Sequence, residues 1–490
     1  MQFLLDPIFF FLLAINMISA ILIIPYPINM LYLALSSLKW KDPVMTNYYS
    51  ESELPFITIQ LPVFNESYII KTTLSRIAKI IYPRNRIRIQ ILDDSTDQTK
   101  HIIESEAAFL KDQGFKIDII RRNNRLGYKA GALQNGLNYD VSEFVAIFDA
   151  DFQVNPHFLE KTIHYFKDNK DLGAINTRWV HSNLNYSIFT RAMSIALDHH
   201  FLVEKPGRKS RNAFMNFNGT GGIWRVEAIE KSGGWSSSTL AEDLDLAYRA
   251  QSKGYEILYL RNTTNAQEIP PTIRCWIIQQ SRWSKGFSQN LRKNYIDFIK
   301  NNNGKSRIQG TFHLTQYFVP LMILLNTATS SILLYFPQFD INKISIFGIL
   351  FLIVTIFALI TYMITVIHAK RSVVFMFFIP LFLFWGAGLI VRMGLGTVSG
   401  LFRSGGEFVR TPKFNLSNTK KNISINIREK IPLDRVFLAE LAYMIILLFG
   451  LIKGLEIGVS YLTQILYYVF LLFSLLNLIL SELMHAFFSY

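Results

Sequence analysis

Hydrophobic positions fall into two patterns along this chain, long unbroken apolar stretches at both ends and short apolar runs between them. From Pro7 to Leu38 there is no charged residue. That length is too short for two helices of about 20 residues each but ample for one tilted or kinked span. Pro25 and Pro27 are its break points. A secretory signal peptide would begin with a basic segment and end at a small-residue cleavage site. This chain begins Met-Gln-Phe-Leu-Leu-Asp and shows no such site, so residues 1–40 read as a transmembrane anchor. Lys39 and Lys41 follow directly, and the positive-inside rule then puts the next region in the cytoplasm.

From Pro55 to Asn262 the pattern changes. Short apolar runs at Phe56–Val63, Ile87–Leu92, Phe115–Ile120, Val145–Phe148 and Glu256–Leu260 predict strands. Helical stretches lie between them, among them Glu66–Ile81, Tyr128–Leu137 and Asp243–Ser252. Such alternation predicts crossover units and a mostly parallel sheet covered by helices, an α/β domain over residues 41–270. Ligands of such sheets sit beyond the carboxyl ends of the strands.

Residues 271–312 carry Trp276, Trp283, Phe287, Leu291 and Tyr295 at nearly helical spacing, with Arg274, Arg282, Lys285, Arg292 and Lys293 among them. This is the pattern of a basic amphipathic helix lying on a membrane surface. Residues 313–370 predict a hairpin of two spans, Phe318–Phe336 and Ile346–His368, joined by a nearly neutral loop, with Lys370-Arg371 marking the return to the cytoplasm. Within 371–434, Val373–Phe402 is apolar, but the basic Arg403–Arg435 stretch follows it, so both its ends face the cytoplasm. Thirty residues cannot cross twice, which makes these interfacial or re-entrant helices. Gly386, Gly388, Gly394, Gly396 and Gly400 suit broken, close-packed helices. Val436–Leu451 and Leu462–Phe488 give two more spans within 435–490. Five spans place the amino terminus outside and the carboxyl terminus inside. Asn218-Gly219-Thr220 then faces the cytoplasm and carries no glycan.

Composition narrows the function. Half of the 490 residues are hydrophobic, 40 are Phe, and the mean hydropathy is +0.23, values that suit a membrane protein with a soluble domain. The net charge of +14 is read as cytoplasmic loops and contact with anionic lipid rather than nucleic acid, and it also fits a phosphate-bearing substrate. One cysteine, Cys275, rules out an intramolecular disulfide and a cysteine-based zinc site. The nine histidines show no metal-ligand spacing, and the His199-His200 pair reads as structural.

Acidic residues follow the predicted strands. Ile91-Leu92 runs into Asp93-Asp94-Ser95-Thr96-Asp97, and Val145–Phe148 into Asp149-Ala150-Asp151. Any one such acid is first a turn former or a cap. A D-x-D just past a strand end, though, can present two carboxylates to one point. Hard cations such as Mg²⁺ or Mn²⁺ take such ligands and bridge to substrate phosphates. Arg125 to Leu133 makes a basic, glycine-containing helix start suited to an anion, with Lys129 in it. It is not a Walker loop, and no G-x-G-x-x-G follows the first strand. Phe217 to Gly222 is a small-residue loop that lets backbone approach a ligand or simply turns.

Thr239-Leu240-Ala241-Glu242-Asp243-Leu244-Asp245 opens a helix in mid-chain. Thr239 with Glu242 fits a capping box, and acids in the first turn face the positive end of the helix dipole. The same stretch could hold a proton-accepting carboxylate, Asp243, at the edge of a cleft. Later in the chain, Gln279, Arg282 and Trp283 form a compact set whose Arg can bind a phosphate and whose Trp can stack on a sugar face.

Taken in order, these motifs resemble the membrane-bound processive synthases of glycosyltransferase family 2, the cellulose, mannan and hyaluronan synthases. Asp94 (or Asp93) matches the first aspartate motif, Asp149 and Asp151 the D-x-D, Asp243 the acid pair, and Gln279, Arg282 and Trp283 the Q-x-x-R-W. Phe408-Val409-Arg410-Thr411-Pro412-Lys413 is similar to the family's F-x-V-T-x-K gating loop, with Arg410 where a valine is usual. The wording around the motifs is closest to the mannan and glucomannan synthase-like branch, and the match runs from roughly Pro55 to Lys413.

The resemblance implies an α/β fold: a cytoplasmic GT-A (Rossmann-like) glycosyltransferase domain inserted between transmembrane α-helices. It implies a nucleotide-sugar donor, UDP-glucose or GDP-mannose, a growing glycan acceptor, Mg²⁺ or Mn²⁺, and contact with membrane lipids. Asp94 would contact the base or ribose, Lys129 and Glu242 the substrate, and Asp149 the ribose or diphosphate. Asp149 and Asp151 would hold the metal and Asp243 would be the general base. Gln279 would lie in the substrate site, Arg282 would bind the diphosphate and Trp283 the acceptor sugar. Phe408, Thr411 and Lys413 would form the gating loop. The chain would sit in a cell (inner or plasma) membrane or the Golgi membrane. The rival readings are a transferase adding one sugar to a lipid phosphate carrier and an inactive transferase-like transport or scaffold protein.

Overall fold

A computed structural model of the chain describes residues 2–139, 142–302, 304–339, 341–412, 414, 416, 434–458 and 461–487. Seven strands, β1 (Ile57–Val63), β2 (Ile87–Asp93), β3 (Lys116–Arg121), β4 (Phe144–Ile147), β5 (Leu172–His181), β6 (Gly222–Arg225) and β7 (Glu256–Gln267), form one sheet. Its order is β3-β2-β1-β4-β6-β5-β7. Strands β1 to β4 run parallel, and β6 runs antiparallel to β4 and β5. On β1, Ile57, Ile59 and Leu61 are fully buried on one face, each contributing about 1.5–3 kcal/mol of hydrophobic stabilisation. The other face buries Thr58 and Gln60, and Gln60 Nε2 donates to Gln90 Oε1 of β2 at 3.0 Å.

Five predicted strands are present. Two others, β5 and β6, were not predicted, and β7 runs seven residues past the predicted Leu260 to Gln267. Polar Asn176 and Thr177 break the apolar pattern of β5, yet both are fully buried. Thr177 Oγ1 donates to Gly221 O at 2.7 Å and accepts from Asn265 Nδ2 of β7 at 2.9 Å. Cross-strand hydrogen bonds thus take the place of hydrophobic alternation.

The helix predicted over Glu66–Ile81 is shorter, Ile70–Ile77. Asn65 adopts a left-handed φ of 53°, and Glu66 O closes a turn with Ile69 N before the helix begins. Tyr128–Leu137 matches its prediction end to end. It follows Gly127 at φ +73°, a conformation that suits glycine.

Outside the sheet domain, among the described residues, Asp6–Ser37, Arg435–Ile457 and Leu462–Met484 are long and apolar enough to cross a membrane. Two bent pairs raise the number to five if each counts once: Gly304–Thr315 with Phe318–Leu333, bent by 62°, and Val373–Gly388 with Ile390–Phe402, bent by 53°. The predicted break in the glycine-rich stretch therefore falls at Leu389. The second hairpin helix is Ile341–His368.

Helix Ile273–Lys300 packs along Ile390–Phe402. A Cβ on Gly396 would lie 2.3 Å from Ser284 Oγ, and one on Gly400 would lie 2.4 Å from Lys285 O. Only glycine permits that approach, so the apolar helices hold the Gln279–Trp283 set against the sheet domain.

Candidate active site

The loops after β1, β2 and β4 open into a cavity of about 190 Å³ at the carboxyl edge of the sheet. Asp94, Lys129, Asp149 and Asp151 line it from the sheet side, Glu242 and Asp243 from the helix Glu242–Ser252. Gln279, Arg282 and Trp283 face it from Ile273–Lys300, and Phe408 and Thr411 from the loop above. Lys413 lies outside the described residues. The structure thus gathers the remaining sequence candidates around one space.

The two candidates for the first aspartate separate clearly. Asp93 is buried away from the cavity, accepting from Arg121 Nε at 2.9 Å and Ser95 N at 3.0 Å. Asp94 lines the cavity and is gripped at both oxygens by Arg122, whose Nε lies 2.9 Å from Oδ1. Arg122 is anchored in turn by Leu126 O at 2.8 Å and Tyr128 O at 3.1 Å. Beside it the Arg125 guanidinium lies 3.3 Å from the centre of the Phe64 ring.

Lys129 is the hub of the charged centre. Its Nζ donates to Asp149 Oδ1 at 2.5 Å and Gly219 O at 2.9 Å, and lies 3.9 Å from Glu242 Oε1. Burial opposes its charge, but Asp149, Glu242 and Asp243 outweigh burial and raise its pKa. Burial pushes the Glu242 carboxyl up to about 7, with Lys129 pulling it down and Asp243 adding to the rise. Among the described residues no group of three or more His, Cys, Asp or Glu side chains is assembled to hold a metal. Asp149 and Asp151 supply two hard oxygen donors facing the cavity, which fits Mg²⁺ or Mn²⁺ completed by substrate phosphate and water.

The predicted capping box does not form. The helix begins at Glu242 after Ala241 without a side-chain cap. The Thr239 hydroxyl donates to Ala241 O at 3.1 Å and accepts from Asn290 Nδ2 at 3.2 Å, while Gln289 Oε1 accepts from Leu240 N at 2.7 Å. Two amides of the next helix therefore hold the turn, and Glu242 faces Lys129 instead of reaching back. Gln289 Nε2 also donates to Arg403 O at 2.9 Å and Gly405 O at 2.6 Å, fixing the start of the loop that bears Phe408. At the loop's other end the Glu268 carboxylate accepts from Phe414 N at 3.1 Å and Leu416 N at 2.9 Å. Midway, Arg410 pairs with Glu66 beside Phe64. Gln289, Asn290 and Glu268 carry no motif. Only the helical register of Gly286, Gln289 and Asn290 hints at a role.

A second cavity, of about 330 Å³, lies behind the first. Trp179, Asn218, Ala241, Asp243, Gln279 and Trp283 line both and so form a common wall. Tyr362, Phe382 and Met393 bring the far side of this second space to the apolar helices. One space is charged, the other lined mainly by apolar and aromatic side chains, and a carboxylate stands between them.

A Glycosyl transferase family 2 profile matches residues 58–230. Glucomannan 4-beta-mannosyltransferase 2 of Arabidopsis thaliana is 40% identical over 254 residues, 51% of this chain and 48% of the relative. The chain thus spans about half the length of that protein, as it does of probable glucomannan 4-beta-mannosyltransferase 10 of the same plant, at 46%. Probable glucomannan 4-beta-mannosyltransferase 3 of Oryza sativa subsp. japonica is 33% identical over 425 residues, 83% of this chain and 74% of the relative. Among solved structures, mannosyltransferase PcManGT from Pyrobaculum calidifontis, in complex with GDP-Man and Mn²⁺, has a TM-score of 0.51 at 18% identity, covering 73% of this chain and 98% of that one. At that identity the likeness concerns the fold, and it is the GT-A fold. The identity held over 74% of the rice relative's length decides the matter: the chain belongs to glycosyltransferase family 2, in the cellulose synthase-like branch of the glucomannan 4-β-mannosyltransferases.

Proposed function

We propose that the chain transfers a hexose from a nucleotide sugar to the end of a growing β-linked glycan, with inversion, and passes the product into the membrane. The observation that carries this reading is the wall shared by the two cavities, with Asp243 and Trp283 in it. The charged cavity takes the donor. Asp94 meets the nucleoside, Lys129 and Arg282 meet the diphosphate, and Phe408 and Thr411 roof it. Glu242 and Gln279 complete its lining. Asp149 and Asp151 would hold the Mg²⁺ or Mn²⁺, which when bound neutralises the diphosphate leaving group.

The aromatic cavity takes the acceptor, with Trp283 against its terminal sugar. An acceptor hydroxyl oxygen attacks the anomeric carbon as Asp243 takes its proton. The bond from that carbon to the diphosphate oxygen breaks, and the nucleoside diphosphate leaves with the electron pair. GDP-mannose is the first choice of donor because the rice relative matched over 83% of this chain is named a probable mannosyltransferase, and UDP-glucose is the second. The catalytic domain faces the cytoplasm of a cell (inner or plasma) or Golgi membrane, following Lys39 and Lys41.

Turnover in membrane vesicles with a panel of labelled nucleotide sugars, followed by linkage analysis, tests this. A β-linked polymer labelled from GDP-mannose or UDP-glucose is expected. Single-sugar lipid adducts without polymer would replace the reading with transfer to a lipid phosphate carrier. Folded protein that incorporates none of the panel would leave the scaffold alternative.

Gly219 offers a local check. It has φ +73°, and a Cβ there would lie 3.3 Å from Lys129 Nζ and 3.5 Å from Asp243 Oδ2. Gly219→Val adds backbone strain of about 1–2 kcal/mol and wedges a branched side chain between the two. Turnover is expected to fall at least about tenfold, on the scale of 1.4 kcal/mol per decade. Steady-state kinetics, with thermal melting as the folding control, reads it out.

A further inference from the structure

The His199-His200 pair reads in sequence as structural, yet His200 sits on the acceptor cavity. It opens a five-residue π-helical segment, His200–Glu204, that continues the helix Ile188–His199, and such departures from the α ladder collect at functional sites. Its Nδ1 lies 2.8 Å from Glu204 Oε2. A carboxylate only accepts, so Nδ1 carries the proton and Nε2 is left as an acceptor. Burial alone would neutralise Glu204, but the hydrogen bond from His200 and the charge of Arg208 hold its carboxyl well below the usual range. Arg208 Nε donates to Glu204 Oε1 at 3.0 Å and its NH1 to Gln309 O at 2.9 Å, so the carboxylate that aims His200 is itself fixed.

On the other side of the ring, Asn218 Nδ2 lies 2.9 Å from His200 Nε2. Asn218 has a left-handed φ of 72° and belongs to the wall that lines both cavities, next to Gly219, whose carbonyl holds Lys129. With one amide N–H committed to His200, the amide cannot rotate to exchange its ends. Its carbonyl oxygen, 3.4 Å from the same nitrogen, meets no proton there when Nε2 is the acceptor, and is the end that a ligand can use. A carbonyl oxygen in that wall suits a hydroxyl donor.

We infer that His200 is a positioning residue for the acceptor: held by Glu204, it orients the Asn218 amide so that its carbonyl oxygen accepts a hydrogen bond from a hydroxyl of the acceptor's terminal sugar. The inference rests on the transferase reading for the identity of that ligand as a glycan. Its test needs no turnover.

Mannotetraose binding to the full-length, detergent-solubilised chain without donor is followed by intrinsic fluorescence, which Trp179 and Trp283 in the wall report. His200→Phe is expected to weaken binding about tenfold, a typical loss for one hydrogen bond to a ligand. Asn218→Gly, which keeps the left-handed backbone, is expected to do the same. The double variant should lose about tenfold and not about a hundredfold, because the first residue acts through the second. His200→Gln, whose amide oxygen can stand where Nε2 stands, should recover most of the loss. Thermal melting separates these effects from misfolding. Losses that multiply in the double variant, unchanged binding in His200→Phe, no rescue by Gln, or no mannotetraose binding by the parent chain would each overturn the inference. Failure of nucleotide-sugar turnover with this binding pattern intact would instead overturn the transferase reading.

Discussion

Asp243→Asn should abolish sugar transfer while leaving nucleotide-sugar binding within about twofold of the parent, since a positioned base contributes about 10²–10⁴ in rate, or roughly 3–5 kcal/mol. Asn has the same shape but cannot take a proton. The neighbouring acid is a poor substitute. Glu242 lies 3.9 Å from Lys129, and burial pushes its carboxyl up to about 7. It is therefore about half protonated at neutral pH and faces Lys129. Glu242→Gln should accordingly cost less than Asp243→Asn in turnover at pH 7. Single-turnover transfer with donor binding measured in parallel decides it. Normal turnover in Asp243→Asn would remove Asp243 from the base role, and equal losses in the two variants would make the acids act as a pair.

What the sequence revealed depended on whether neighbours in space were also neighbours in sequence. Asp94, Asp149 and Asp151 were legible because each ends an apolar run, and strand ends in an α/β sheet open onto the ligand side. Tyr128–Leu137 was legible to the residue, with Gly127 as its left-handed start and no tertiary contact contradicting it. Strand β5 was not, because the Asn176 carbonyl and the Thr177 hydroxyl find their hydrogen-bond partners far away in the sequence. Lys205, fully buried, donates to Asn176, and Asn265 donates to Thr177. The turn before Asp243 shows the same limit in reverse. Thr239 and Glu242 satisfy the local rule for a capping box, and two amides some fifty residues further on override it. His200 had no signal beyond its neighbour. Its interest arises only when the π-helical segment brings it between Glu204 and Asn218.

Chelation should stop the enzyme. The donor cavity is lined by four cations, Arg125, Lys129, Arg282 and Arg410, against six carboxylates, Glu66, Asp94, Asp149, Asp151, Glu242 and Asp243. Lys129 is largely spent on Asp149, at 2.5 Å. A nucleoside diphosphate brings more negative charge into this space, and each unpaired contact between unit charges about 4 Å apart costs on the order of 4 kcal/mol at an effective dielectric constant of about 20. The protein's own cations cannot balance that. EDTA should therefore lower turnover by at least about a hundredfold, or about 3 kcal/mol, and Mg²⁺ or Mn²⁺ should restore it. Asp151→Asn removes a candidate ligand without touching the Lys129–Asp149 pair, and it should raise the Mn²⁺ concentration needed for half-maximal turnover at least about tenfold. Mn²⁺ binding followed by electron paramagnetic resonance in the presence of GDP should weaken in parallel, which separates loss of the metal from loss of chemistry. Full turnover in EDTA would free Asp149 and Asp151 from the metal role and leave Lys129 and Arg282 as the counter-charges to the leaving group.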